Sequence, residues 1–436
     1  MSNALVKWLT PGMGLKRWLL VAALGFLIQG AGIVLLTIAV YRLWRYDLDL
    51  APWLVTWGGG GLVVGLGLGL WGGRRVVRAV ATAVRATPAA PTIVESLYRN
   101  RPRRGPKLVA IGGGTGLASL LRGLKVHSDH ITAVVAMTDD GGSSGRLRSE
   151  LGVLPPGDVR NCLLALAGEE KLMADLFAYR FETGGLGGHS FGNLFLTALS
   201  ELTGDLEQAI QAASRVLAVR GQVLPATLAE LTLAARLEDG TEVRGESAIS
   251  ASASPVNRIW CEPHDPAALP EAIRAIREAE AIILGPGSLY TSIVPNLLIP
   301  EILSEIKHSK APRIYICNVM TQPGETDGYS VADHVAALQA IGGRELFDWV
   351  LVNEELPHVL LEAYRAKGQN PVRLDRGALD ALGVKPLVGK LIDEHTVVRH
   401  RPEALGKAVI DWVTAVRREP TGKLLAFPPD PDRARR

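Results

Sequence analysis

Two glycine-rich segments, 111–116 and 138–148, contain the residue types that bind anions. The first, IGGGTG, directly follows the apolar run 108–111 and opens a helical pattern. Glycines at such a place let backbone N–H groups approach a phosphate, and the helix N-terminus adds a partial positive charge. Leu117 stands where a dinucleotide fingerprint has its last glycine, and no lysine completes a Walker A loop. The segment therefore predicts either an anion-binding loop or a tight strand–helix turn.

The second segment, TDDGGSSGRLR (138–148), joins two carboxylates to glycines and hydroxyls. Asp139 and Asp140 lie about 25 residues after the first loop, where an acidic residue would meet a ribose hydroxyl. Carboxylates are also usual ligands of divalent cations, so Mg²⁺ at Asp139 or Asp140 is the one candidate cofactor. The string also matches the G-x-S-x-G pattern of a hydrolase nucleophile around Ser143. Three polar residues separate it from its strand, however, and no Asp/His pair can be assigned to it, so no catalytic residue is assigned.

Two further glycine-rich segments follow, GGLGGHSFGN (184–193) and LGPGSLYTS (284–292). In the first, Ser190 or Asn193 either caps the next helix or contacts a ligand, and His189 has no assignable partner and is expected to be structural. In the second, small polar residues suit a phosphate and Tyr290 suits stacking on a ring. The predicted ligand-binding residues of the four segments are Gly112, Gly113, Gly114, Thr115, Gly116, Asp139, Asp140, Gly141, Gly142, Ser143, Ser144, Asn193, Gly287, Ser288, Tyr290 and Thr291.

Strand-like and helix-like patterns alternate through residues 107–418 and predict the frame that positions these segments. Apolar runs indicate strands, helical periodicity dominates the stretches between them, and alternation around Asp239-Gly240 indicates a hairpin. The fold class expected is α/β, a Rossmann-like, doubly wound, mainly parallel sheet with a small β-hairpin insertion. Ligands of such sheets bind beyond the carboxyl ends of the strands. The predicted strands are 108–111, 131–137, 281–285, 313–319 and 349–353, the helical stretches 158–180 and 191–218, and the hairpin arms 228–236 and 241–247.

The N-terminal part has a different composition, with two long uncharged runs at about 18–40 and 53–71. A helix needs about 20 apolar residues to cross a bilayer, so residues 1–78 are predicted to form a membrane anchor of two transmembrane helices. A buried helical hairpin is the alternative. Gly61, Gly65 and Gly69 recur at every fourth position, a spacing that lets helices approach closely, either against the first span or against another copy.

Charge is distributed unevenly along the chain. Residues 1–107 contain 14 basic and three acidic residues, whereas the remainder carries a net charge of −8. Basic residues flank both apolar runs, which predicts a multi-pass plasma-membrane protein with both termini and the body (107–418) in the cytoplasm. The basic Ala/Pro linker (79–106) either attracts anionic lipids or is a solvated spacer, and 419–436 is predicted to be a loose tail. An acidic body argues against nucleic-acid binding, and three widely spaced cysteines exclude a disulfide framework.

Several long strings, IGGGTG, TDDGGSSGRLR, GPGSLYTSIVPNLLIPEI and CNVMTQPGETDGYSVADHV, resemble the YvcK-type proteins, also called gluconeogenesis factors. The resemblance covers about 107–415 and implies a fold related to 2-phospho-L-lactate transferase (CofD-like). It further implies binding of UDP-N-acetylglucosamine and support of cell shape and envelope synthesis on gluconeogenic carbon sources. By similarity, a sugar-nucleotide-binding tyrosine and arginine correspond to Tyr364 and Arg399. The usual form of that family lacks an N-terminal hairpin, so residues 1–106 depart from it.

Two functions from different classes follow. The first is a membrane-anchored regulator that binds UDP-N-acetylglucosamine or a similar nucleotide without chemistry of its own, forms homo-oligomers and acts on envelope-synthesis proteins. The second is a Mg²⁺-dependent phosphoryl-group transferase that resembles the lactate relative and uses Asp139 or Asp140. The binding protein is preferred because no general base or nucleophile with a partner can be identified beyond the Asp pair.

Overall fold

The computed structural model describes residues 15–45, 51–86, 105–168 and 171–418. The chain divides into two compact units, Met1–Arg103 and Arg104–Arg436. Most of the predicted basic linker and the whole predicted tail, 419–436, lie outside the described residues.

The first unit contains two antiparallel helices, α1 (Leu15–Arg45) and α2 (Ala51–Ala86). Both are long and apolar enough to cross a membrane by length and composition. The second helix extends eight residues beyond position 78 into the predicted linker. The reason is that 79–86 is alanine-rich and contains neither glycine nor proline, so nothing stops helix propagation before Pro88.

Glycines form the seam between these helices. Gly58, Gly65 and Gly72 of α2 are buried at a spacing of seven. A Cβ on Gly65 would lie 2.5 Å from the backbone nitrogen of Gln29 on α1, so only glycine allows this approach. Of the glycines predicted to recur at every fourth position, Gly65 thus packs closely against α1. A Cβ on Gly69, by contrast, would meet open space.

The second unit is built on a seven-stranded sheet. Its strands are β1 (Leu108–Gly112), β2 (Ile131–Val135), β3 (Gln222–Pro225), β7 (Ala281–Leu284), β8 (Arg313–Ile316), β9 (Trp349–Asn353) and β10 (Lys385–Gly389). Their order in the sheet is β10-β9-β8-β7-β1-β2-β3, and every neighbouring pair is parallel. This is the doubly wound, Rossmann-like arrangement predicted from the alternating pattern.

Helices cover both faces of this sheet. Two buried apolar clusters result, one on each face, and alternate residues of β1 contribute to each. Val109 and Ile111 belong to one cluster, and Leu108 and Ala110 belong to the other. The helices are α3 (Gly114–Leu124), α4 (Gly142–Leu151), α5 (Gly157–Leu166), α6 (Lys171–Ala178), α7 (Phe191–Thr203), α8 (Leu206–Val216), α9 (Glu246–Ser250), α10 (Pro270–Arg277), α11 (Val294–Leu297), α12 (Pro300–His308), α13 (Val331–Gly342), α14 (Leu361–Arg365), α15 (Arg376–Leu382) and α16 (Pro402–Arg418). A π-helical turn, Leu289–Ile293, precedes α11, and a 3₁₀ turn, Arg344–Leu346, follows α13.

Two small antiparallel sheets complete the second unit. The predicted hairpin is present as β4 (Thr232–Leu237) and β5 (Glu242–Arg244), and a third strand that the sequence pattern did not reveal, β6 (Val256–Glu262), pairs with β4. Near the C-terminus, β11 (Ile392–Glu394) pairs with β12 (Val398–His400). The sheet edge strands β3 and β10 were also not predicted, because each contains a proline.

Candidate functional site

A cleft of about 530 Å³ opens where the strand order reverses, between the loops that follow β1 and β7. From this point the chain runs outward to β2 on one side and to β8 on the other, so the two loops diverge and leave room for a ligand. The loop after β8, α14 and β12 form the remaining walls. None of the described residues that line the cleft is acidic.

Two of the predicted glycine-rich segments meet at the base of this cleft. Thr115 and Gly116, in the first turn of α3, face Gly287 and Ser288 of the loop after β7. A Cβ on Gly116 would lie 2.6 Å from the carbonyl oxygen of Pro286, so glycine is needed for the close approach of the two loops. The first turn of a helix has backbone N–H groups without intrahelical partners. The base of the cleft therefore offers hydrogen-bond donors to an anion.

Asp158, at the start of α5, holds the glycine loop at Gly114, which lines the cleft, although Asp158 itself is not a lining residue. Its Oδ2 accepts a hydrogen bond of 2.6 Å from the backbone N–H of Gly114. Burial and the neighbouring Asp139 raise the pKa of Asp158 to about 6. Sequence reasoning missed this residue, because the glycine-rich segments themselves give no sign that α5 lies against them.

Two arginines reach the cleft from distant parts of the chain. Arg122 lies in the last turn of α3, and Arg399 lies on β12 with its Nε a loose 3.9 Å from Oδ2 of Asp393. Burial and the positive charge of Arg399 lower the pKa of Arg122. Within the described part of the chain, Arg122 forms no ion pair with an acidic residue. Guanidinium groups are well suited to diphosphate, which they can bind through two parallel hydrogen bonds.

Tyr364 connects the cleft wall to the strand that carries Arg399. Its hydroxyl oxygen accepts a 3.0 Å hydrogen bond from the backbone N–H of Val398, the residue before Arg399. Its ring packs against a small apolar cluster that includes Val319 and Met320, both of which line the cleft. Tyr364 therefore provides an apolar surface for a ring and also fixes β12. The structure thus brings together both residues suggested by the family resemblance and the first and fourth glycine-rich segments.

A chain of side-chain hydrogen bonds orients the polar groups on the wall formed by β8 and its loop. Asn318 Nδ2 donates to Gln322 Oε1 at 3.3 Å, and Gln322 Nε2 donates to Ser288 Oγ at 2.8 Å. The hydroxyl hydrogen of Ser288 is thereby left for another acceptor. His400 also lines the cleft, and burial lowers its pKa to about 4, so its imidazole is neutral near pH 7.

The second and third glycine-rich segments form a separate polar cluster. Ser143 Oγ lies 3.1 Å from Nδ1 of His189 and accepts a 3.0 Å hydrogen bond from Nδ2 of Asn193. All three residues are buried, and none of them lines the cleft. Ser144 Oγ lies at 3.5 Å from the same Asn193 amide. Burial and the nearby Arg146 lower the pKa of His189. The histidine for which no partner could be assigned thus bonds the serine of the G-x-S-x-G pattern.

The Asp pair is engaged in local structure beside this cluster. Asp140 Oδ1 accepts hydrogen bonds from the backbone N–H and the hydroxyl of Ser247, at 2.9 and 2.7 Å. Asp139 Oδ1 accepts a 3.0 Å bond from the backbone N–H of Gly141. Neither carboxylate lines the cleft, nor do Gly141 and Gly142. Among the described residues, the second segment therefore contributes none to the lining of this cleft.

Tyr290 and Thr291 point into the protein rather than into the cleft. The Tyr290 hydroxyl lies 3.1 Å from that of Tyr329, and the Thr291 hydroxyl donates to the buried Glu325 at 3.0 Å. Their π-helical turn buries both side chains, so Tyr290 does not provide the predicted stacking surface. Glu325 also accepts a bond from Ser250 on α9, which joins the loop after β7 to the small sheet.

Comparison with known proteins agrees with this architecture. The family model described as 2-phospho-L-lactate transferase CofD matches residues 108–392, which include the seven-stranded sheet and the lining of the cleft up to β12, but not Arg399. The chain belongs to the CofD family. The crystal structure of a UPF0052-family protein from Bacillus halodurans has a TM-score of 0.68 and 46% identity, and covers 70% of this chain and 99% of that one.

Curated relatives of this chain carry the name gluconeogenesis factor, as the resemblance implied. One from Nostoc sp. is 51% identical over 94% of this chain and 93% of its own length. One from Bacillus subtilis is 48% identical over 70% of this chain and 98% of its own length. Because residues 107–436 are only about three quarters of the chain, the Nostoc alignment extends into the N-terminal helices. The expectation that residues 1–106 depart from the family is therefore wrong for relatives of this length.

Proposed function

We propose that the cleft binds a nucleotide-linked sugar, UDP-N-acetylglucosamine, and that the protein is a regulator supporting cell shape and envelope synthesis under gluconeogenic growth. The observation that carries the proposal is the composition of the cleft, which has two arginines, helix N-terminal donors and, among the described residues, no acidic side chain in its lining. Tyr364, Val319 and Met320 add an apolar wall suited to a ring. The choice of uridine and N-acetylglucosamine rests on the resemblance to YvcK-type proteins.

Calorimetric titration tests this proposal. The full chain in detergent micelles, titrated with UDP-N-acetylglucosamine, is expected to show one site per chain. N-Acetylglucosamine without the nucleotide should give no heat, because it lacks the diphosphate that the arginines would bind. Absence of saturable binding of the nucleotide sugar would contradict the proposal.

A phosphoryl-group transferase is the second candidate, favoured by the match to the CofD family. Asp139 and Asp158 supply two carboxylates near the glycine loop, but the described residues bring together no group of three or more His, Cys, Asp or Glu that would hold a metal ion. Two carboxylates hold Mg²⁺ only together with the phosphate oxygens of a ligand. Incubation with UDP-N-acetylglucosamine and Mg²⁺, followed by chromatography, separates the candidates, since the binding protein should leave the ligand intact.

The two N-terminal helices are proposed to anchor the protein in the plasma membrane, with both termini and the body in the cytoplasm. Trp18 and Trp71 contact each other at the same end of the hairpin, with ring centres 4.8 Å apart, and Arg75 lies over both rings. Such aromatic and basic groups favour the membrane interface. Reporter fusions at Asp49 and after Arg85 are expected to lie on opposite sides, and finding them on one side would contradict the hairpin.

The partners of the protein are proposed to be envelope-synthesis proteins and other copies of the chain. The basic linker, including Arg99, Arg101, Arg103 and Arg104 outside the described residues, is proposed to attract anionic lipids. Crosslinking in membranes with and without UDP-N-acetylglucosamine tests both partner classes.

A further inference from the structure

A side-chain hydrogen bond joins the loop after β8 to the loop after β7 at the cleft. Gln322 Nε2 donates to Ser288 Oγ at 2.8 Å, and both residues line the cleft. The residue before Ser288 lies against the glycine loop, since a Cβ on Gly287 would be 3.3 Å from the carbonyl oxygen of Gly113. The Ser288 side chain is therefore placed at the base of the cleft, beside the N–H donors at the start of α3.

The direction of this hydrogen bond is fixed by Asn318. Asn318 Nδ2 donates to Gln322 Oε1 at 3.3 Å, so the carbonyl oxygen of the Gln322 carboxamide faces Asn318 and its NH2 group faces Ser288. The backbone at Gln322 is held as well, because its N–H donates to the hydroxyl of the buried Thr326 at 2.9 Å. Turning the carboxamide over would place its NH2 group against that of Asn318 and lose this bond.

The Gln322 carboxamide decides what the Ser288 hydroxyl can offer to a ligand. A serine hydroxyl has one hydrogen to donate and two lone pairs with which it accepts. Ser288 Oγ accepts from Gln322, and no acceptor among the described residues takes its hydrogen. The hydrogen is therefore left for a ligand atom that accepts, and an ionised phosphate oxygen is the strongest acceptor of this kind.

We infer that Gln322 is a positioning residue of the cleft: its carboxamide makes the Ser288 hydroxyl a hydrogen-bond donor to a phosphate oxygen of the ligand. The inference rests on the proposed function, since it concerns the same nucleotide sugar. Ser288 contacts the ligand, whereas Gln322 acts through Ser288. A change at Gln322 should therefore affect this contact only while the Ser288 hydroxyl is present.

A double-mutant cycle of Ser288→Ala and Gln322→Glu tests the inference, with affinities measured by calorimetric titration of the full chain in detergent micelles with UDP-N-acetylglucosamine. Ser288→Ala removes a hydrogen bond to a charged group and is expected to weaken binding at least about tenfold. In Gln322→Glu, the new carboxylate accepts the Ser288 hydrogen and so takes it from the ligand, and it also adds a negative charge. The substitution is expected to weaken binding about ten times more in the natural background than in Ser288→Ala, where only the charge acts.

Gln369→Glu is the matched control, because Gln369 also lines the cleft, and no hydrogen bond in the described structure joins its side chain to Ser288. Its added charge should weaken binding by the same factor in both backgrounds. Gln322→Met removes the carboxamide without adding charge and lets the Ser288 hydroxyl take any of three staggered orientations. Its affinity is expected to fall about threefold, and this loss should disappear in Ser288→Ala.

Equal effects of Gln322→Glu in the two backgrounds would overturn the inference, because a residue that only supports the loop would act without Ser288. Unchanged affinity in Ser288→Ala would overturn it as well, and this result does not depend on the folding of a Gln322 variant. If Ser288→Ala failed to fold, unchanged affinity in Gln322→Met would do the same. Failure of the natural protein to bind UDP-N-acetylglucosamine would instead overturn the proposed function together with this inference.

Discussion

Replacement of Arg122 by glutamine tests most directly whether the cleft is an anion site. Arg122 and Arg399 face the same cleft, in whose lining the described part of the chain places no acidic residue. Burial and the charge of Arg399 lower the pKa of Arg122. An anion between the two guanidinium groups would relieve this repulsion. The variant is therefore expected to bind UDP-N-acetylglucosamine more weakly.

The magnitude follows from the contacts that would be lost. A hydrogen bond to a charged group contributes about 1.5–3 kcal/mol, so affinity should fall about 10- to 150-fold. Removing one of two like charges should also raise the thermal midpoint of the ligand-free protein slightly. A purely structural arginine would behave differently, since its loss would lower the midpoint. The opposite signs of the two effects distinguish a binding residue from a structural one.

Calorimetry on the full chain measures the affinity, and thermal melts in the absence of ligand measure the midpoint of unfolding. Arg236→Gln is a matched control, because Arg236 is a surface arginine paired with Glu242 on the small sheet and does not line the cleft. Both its affinity and its melting behaviour should remain close to those of the natural protein. Unchanged affinity in Arg122→Gln, or a lower midpoint with unchanged affinity, would refute the assignment of Arg122 to the site.

Four further variants test residues of the cleft wall, the contact between the two loops at its base, and the buried Glu246. Tyr364→Phe loses only the bond to the Val398 N–H and should weaken binding several-fold, whereas Tyr364→Ala also loses the ring and should cost more than tenfold in titrations. Gly116→Ala forces a Cβ against the Pro286 carbonyl and should lower both the thermal midpoint and the affinity, and a native-like melt would contradict the close approach. Burial raises the pKa of Glu246 to about 9, so the folded state holds this proton longer than the unfolded state, and stability should fall as pH rises from about 4.5 to 9. Glu246→Gln should remove that slope in pH-dependent melts, and its thermal midpoint at pH 8 should therefore be higher than that of the natural protein.

The sequence by itself determined the elements that have a local pattern, which is a continuous apolar run for the buried strands and a helical periodicity for the helices. Strand β1 leads into a glycine loop and an amphipathic helix, and this local order predicted both the parallel sheet and the edge at which ligands bind. The two apolar N-terminal helices were equally clear, because an uninterrupted apolar run is a property of consecutive residues. The family strings added Tyr364 and Arg399, which residue patterns alone would have placed on the surface.

Only the tertiary structure decided which polar residues share a site. Arg122 joins the cleft because β12 brings Arg399 beside the last turn of α3, and Asp158 matters because α5 packs against the glycine loop. Tyr290, by contrast, follows a glycine loop yet is buried against Tyr329. The periodicity of apolar residues predicts which face of a helix or strand is buried. A site, however, is formed by side chains from elements that lie far apart in the chain. Their convergence depends on strand order and loop direction, which no local pattern encodes.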